Sequence, residues 1–167
     1  MVILRHMARV LLFAGALAAT AVASNAQGTD TSKTGPYIEQ DLWVIAHPEV
    51  TTDTLNERQL RTILLGNKRF WSGGEAIHLV IDGRADSLAR AAWIEDLTAM
   101  TEVQYSQYWI GMVFRGRATT APHVVPDTAT ATALVAALPG AISIVDRKPS
   151  SDEVRLLGKL DDLLEDR

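Results

Sequence analysis

The sequence predicts an α/β domain, and three observations carry the prediction. Short apolar runs at 42–46, 77–81 and 141–145 have the length and composition of buried strands. Stretches with a 3.6-residue apolar period lie between them. No two runs are joined by a two-residue hairpin signal, so a single small sheet, mainly parallel and covered by helices, is expected.

The first segment is not part of that domain. Arg5 and Arg9 precede an uninterrupted apolar and small-residue run at 10–23, and Ser24-Asn25-Ala26 supplies a small-polar-small cleavage pattern. The run is shorter than the ~20 residues a spanning helix needs. Residues 1–26 are therefore expected to be a cleaved signal peptide, which makes the protein periplasmic or secreted. Residues 27–40 are rich in Gly, Thr and Ser, are broken at Gly35-Pro36 and show no apolar period, so they are expected to be a flexible leader. Residues 41–167 then form one domain.

Within the domain, the run at 42–46 is stopped by His47-Pro48 and reads as the first strand. Asn56 has Gln59 at the capping-box position, with Leu55 and Leu60 as a hydrophobic staple. The helix so started has Leu60, Ile63 and Leu64 on its apolar face, and Gly66 ends it. A turn-rich loop with Lys68, Arg69, Trp71, Gly73 and Gly74 leads to the strand at 77–81. The loop 82–87 then enters a helix with Ala89, Trp93, Leu97 and Met100 inward.

Thr101 with Gln104 makes a second capping box. Behind it, Tyr105, Tyr108, Trp109, Met112 and Val113 fall at i, i+3, i+4, i+7 and i+8, a clear helical period, and this spacing assigns Tyr105, Tyr108, Trp109 and Met112 to the core rather than to a ligand. Asp127 caps a further helix with Ala131, Leu134, Val135 and Leu138 on one face, and Pro139-Gly140 stops it. The run at 141–145 is the third strand. Residues 154–157 fit either a last strand or the start of a helix.

Composition excludes several functions. The 167 residues contain 16 basic and 20 acidic side chains, a net charge of −4, and loss of Arg5 and Arg9 makes the remainder more acidic still. Nucleic acids are held mainly by clustered Lys and Arg, so a nucleic-acid partner is not expected. With no cysteine there are no disulfides, thiolate nucleophiles or Cys-based metal sites. His47, His78 and His123 form no metal-ligand spacing. No P-loop, dinucleotide fingerprint or nucleophile elbow is present, and the expectation is a protein without cofactor that is not an enzyme.

Several local signatures occur in order: Leu65-Gly66 with Lys68 and Trp71, the strand–loop–Ser87 unit, Gln104 with Tyr108-Trp109, Phe114-Arg115-Gly116, and Pro139-Gly140-Ala141-Ile142. Together they resemble the phosphate ABC transporter substrate-binding-like proteins, which have the type 2 periplasmic-binding fold. The resemblance runs from about Leu42 to about Leu160 and covers the second lobe of those two-lobed proteins. It implies an exported, non-catalytic solute-binding-like protein that takes phosphate or another small anion in support of ABC-type transport. The alternative is a periplasmic interaction module, with a periplasmic or membrane protein partner, that has lost the ligand site. Oligomeric state is not legible.

The family holds phosphate on this lobe with an Arg and a Ser-Gly-Thr run entering a helix. Ser87 matches the serine, whereas the Arg position falls on Gly83 and the Gly and Thr positions on Leu88 and Ala89. Ser143 stands where the family has Gly after Pro-Gly-Ala-Ile. Independently of the resemblance, the first turn of a helix offers free N–H groups and a partial positive charge. Ser87, with Arg84 or Arg90, is thus a candidate anion site, although Asp82 and Asp86 place negative charge in the same loop and Asp86 or Ser87 also fits a simple N-cap. Arg115 and Arg117 are a second candidate basic wall; cations there would equally serve the helix C-terminus. On these terms Arg84→Ala is expected to leave stability within about ±0.5 kcal/mol, as a surface change.

Overall fold

The computed structural model describes residues 41–52, 55–84, 88–150 and 152–165, all within one compact unit, Thr34–Arg167. The expected signal peptide, the expected leader, and Asp86 and Ser87 lie outside the described residues.

In chain order the elements are β1 (Trp43–Ala46), α1 (Glu57–Leu64), β2 (His78–Asp82), α2 (Leu88–Thr98), α3 (Glu102–Phe114), β3 (His123–Val125), α4 (Thr128–Ala137), β4 (Ala141–Val145), β5 (Arg155–Lys159) and α5 (Leu160–Glu165). The five strands form one sheet in the order β3-β2-β4-β1-β5. β2 runs parallel to both β3 and β4, while β1 runs antiparallel to both β4 and β5. The α/β class is as expected, but the sheet is mixed rather than mainly parallel. The reason is positional: β1 inserts between β4 and β5, so neither antiparallel pairing joins consecutive strands and neither leaves a hairpin signal in the sequence.

Side chains alternate across the strands. Val44, Ala46, Leu79, Ile81, Ile142 and Ile144 face the layer built by α1, α2 and α3. Ile45, Val80, Ala141 and Val145 face α4 through Ala131 and Val135. Because the central strands are covered on both faces, their sequences read as unbroken apolar runs instead of alternating ones.

Both capping boxes form: Asn56 and Thr101 each accept the N3 backbone N–H, and Gln59 and Gln104 reach back to the cap residues. Asp127 caps α4 by accepting from the Thr130 N–H at 2.7 Å. The aromatic face of α3 is core, as its spacing predicts. The Tyr105 hydroxyl donates to the Leu64 carbonyl and the Tyr108 hydroxyl to the Leu65 carbonyl, each at 2.7 Å. These two bonds satisfy carbonyls that the end of α1 leaves free. Burial pushes the Tyr105 phenol well above its ordinary pKa, so it stays a donor. Trp109 packs edge-on against both tyrosines.

The ambiguous stretch 154–157 resolves as strand from Arg155 onward, the first part of β5, and α5 begins only after it, at Leu160. β3 went unexpected because three exposed or half-buried residues at a sheet edge carry no period.

Candidate functional site

The loop after β2 is positioned by two neighbours. Gly83 donates its N–H to the Val125 carbonyl at 2.6 Å. A Cβ at Gly83 would lie 2.5 Å from Val124 Cγ1 and 2.9 Å from the Val125 carbonyl oxygen. The position at which the resemblance expects an arginine is thus closed to a side chain by β3, and the next residue along the chain is Arg84.

Arg84 turns back over the carboxyl ends of β2 and β4. Its Nε lies 3.1 and 2.9 Å from the two carboxylate oxygens of Asp82, and its Nη2 lies 2.7 Å from Asp82 Oδ2. The same Nη2 pairs with Asp146 and lies 3.2 Å from the Thr128 hydroxyl. Thr128 Oγ1, in the first turn of α4, is 2.7 Å from Asp82 Oδ2 and 2.6 Å from Asp146 Oδ1. Its single proton goes to one carboxylate while its lone pair accepts from Arg84. Strand ends and a helix start thus meet in one closed polar cluster.

Arg90 belongs to the same edge. Its Nη1 donates to the carbonyls of Asp82 at 2.8 Å and Arg84 at 2.7 Å, and its Nε pairs with Glu102. The structure therefore brings Arg84 and Arg90 together, as the sequence suggests, but with three carboxylates on two guanidinium groups. The hydrogen bonds that Arg84 donates to Asp82 and Asp146 raise its pKa still further, so its charge is permanent. Burial works to raise the Asp146 pKa, yet hydrogen bonds from Thr128 and Arg84, with the Arg84 charge, hold it below the usual aspartate value.

That depression has a pH consequence. A carboxyl whose folded pKa lies below its unfolded value of ~3.9 stabilises the fold above that pH and loses the contribution as pH falls through the folded pKa. Asp146→Asn is therefore expected to flatten the acid-side fall of the urea midpoint below about pH 4. A variant whose midpoint falls with pH as steeply as wild type would show that Asp146 does not carry this dependence.

Arg115 and Arg117 do not join Arg84. Arg115 is the C-cap residue of α3, and its guanidinium lies back along the helix over Gly111. The Arg117 carbonyl accepts a long bond, 3.4 Å, from Arg69 Nη1. Among the described residues no three His, Asp or Glu side chains gather as metal ligands, and no helix is long and apolar enough to cross a membrane. His78 and His123, distant in sequence, come within 6.2 Å between ring centres. The members of the cluster that sequence reasoning missed are Thr128 and Asp146. Their only local signals are an ordinary helix start and the end of a strand.

No protein-family model and no curated protein matches the sequence. Solved structures do. An ABC-type phosphate transport receptor from Vibrio cholerae aligns with a TM-score of 0.52 at 17% identity, over 71% of this chain and 45% of that one. A Clostridium perfringens protein, described as a phosphate ABC transporter substrate-binding protein and solved with bound phosphate, aligns with a TM-score of 0.52 at 19% identity, over 71% of this chain and 44% of that one. The chain shares the fold of the aligned part of these two proteins and spans less than half of their length.

Proposed function

We propose that this chain is an exported, non-catalytic binding module of the solute-receptor type, taking phosphate or a similar small anion in support of ABC-type transport. The observation that carries this reading is position. The Arg84 cluster sits outside the carboxyl ends of the parallel strands β2 and β4, at the start of α4, which is where open α/β sheets place their ligands. The candidate donors are the exposed remainder of Arg84, Ser87 and Arg90. One lobe covers one side of a ligand, whereas binding pockets bury most of theirs. Weak capture is accordingly the expectation for the chain alone.

A second reading has its own observation. Arg84 is held by Asp82 and Asp146, so an incoming anion must displace a carboxylate or face its charge. In this reading the cluster is a structural clasp and the protein is an interaction module that has lost the ligand site. Calorimetric titration of the purified protein with phosphate and sulfate separates the two. Heat that disappears in Arg84→Ala supports solute capture; no heat at roughly 1 mM anion, where binding is worth only about 4 kcal/mol, removes it.

A further inference from the structure

The opposite end of the domain carries basic side chains of a different kind. A surface cavity of about 130 Å³ lies where β2 and β3 begin, between the loop 66–77 and the loop 118–122. Its lining includes Ile63, Leu79 and Trp109, which are 1%, 8% and 7% exposed and so belong to the core. Lys68, Arg69 and His78 also line it, with Thr119 and Thr120, and no carboxylate does. The five-residue β2 separates it from the Arg84 cluster by about 13 Å, at ~3.3 Å per residue.

The cations here differ from Arg84 and Arg90 in what holds them. The Lys68 ammonium stands 5.6 Å over the Trp71 ring, and Arg69 reaches across to the Arg117 carbonyl. Neither pairs with a carboxylate among the described residues. Arg69 therefore spans the two loops that wall the cavity and keeps its charge uncompensated, in a chain whose net charge is −4.

We infer that this cavity is a binding site for a small organic carboxylate. The volume is close to the roughly 150 Å³ of an engineered apolar cavity that accepts benzene. An apolar body of that size fits against Ile63, Leu79 and Trp109. A neutral apolar molecule leaves the Arg69 guanidinium without a counter-charge, and an inorganic oxyanion leaves the apolar floor without a partner. A carboxylate on a short apolar body matches both, with the guanidinium donors that Arg117 does not take left to grip it. The site is independent of the phosphate reading, because it uses none of the residues at the Arg84 end.

The test is a titration of the isotopically labelled protein, expressed from the full chain, followed by amide chemical shifts. Benzoate is expected to move amides in 63–79 and 118–122 while leaving those of 88–90 and 128 in place. Benzyl alcohol, of the same size without the charge, is expected to bind at least about tenfold more weakly. Arg69→Gln is expected to weaken benzoate by a similar factor with an unchanged urea midpoint, and Lys68→Gln serves as the second variant should Arg69→Gln unfold. No shift in the two loops at roughly 10 mM benzoate overturns the inference. So does an equal response to benzyl alcohol or to inorganic phosphate, or full affinity in whichever of the two variants is folded. Phosphate shifts confined to the Arg84 end would leave the present site untouched, so each reading fails on its own data.

Discussion

Gly140→Ala is expected to lower the unfolding free energy by about 2–5 kcal/mol, the size reached when strain and a lost buried hydrogen bond act together. Gly140 has φ +77°, a region that costs a residue with a Cβ about 1–2 kcal/mol. The space is closed as well, since a Cβ there would sit 2.1 Å from the Ala76 carbonyl oxygen. Backbone must therefore move, and the backbone in question is a junction. The Gly140 carbonyl accepts from the buried Trp71 Nε1 at 2.8 Å and from the His78 N–H at 3.3 Å, which fixes the start of β2 against that of β4. Displacing it leaves an indole donor unsatisfied in the core, at a further cost of about 1–3 kcal/mol. Urea unfolding of the variant measures the sum. A loss under about 1 kcal/mol would show that the turn relaxes freely and that Gly140 does not hold this junction.

What the sequence disclosed and what it hid divide along contact range. Asn56, Thr101 and Asp127 were legible as caps because a cap acts on residues three places away. The aromatic face of α3 was legible because a helix repeats its surface every 3.6 residues. The direction of β1 was not, since it is set by β4 and β5, which lie at the far end of the chain. The same limit applies at the candidate site. Arg84 and Arg90 stood out as cations beside a helix start, but Asp146 and Thr128, which neutralise and fix Arg84, come from the end of β4 and the start of α4. The 66–77 and 118–122 loops likewise become neighbours only through the parallel pairing of β2 with β3.

Arg84→Ala is expected to destabilise the protein by about 2 kcal/mol, well beyond the small change that a surface arginine read from sequence implies. The side chains of its partners Asp82 and Asp146 are only 7% and 10% exposed, so removal of the guanidinium leaves two adjacent, largely buried negative charges. Breaking a fully buried pair from one side costs about 3–5 kcal/mol. Arg84 itself is 41% exposed, and water entering its place screens the carboxylates, which brings the figure down. Arg84→Lys is expected to recover only part of the loss, because one ammonium cannot reproduce the fork that spans two carboxylates. The decisive measurement is a double-mutant cycle with Asp146→Asn, read from urea midpoints. A coupling of about 0.5–3 kcal/mol identifies a clasp between the ends of β2 and β4, in which the guanidinium is already committed. Additive effects, with Arg84→Ala near neutral, would mean that the guanidinium is not engaged in solution, and would return it to service as an anion ligand.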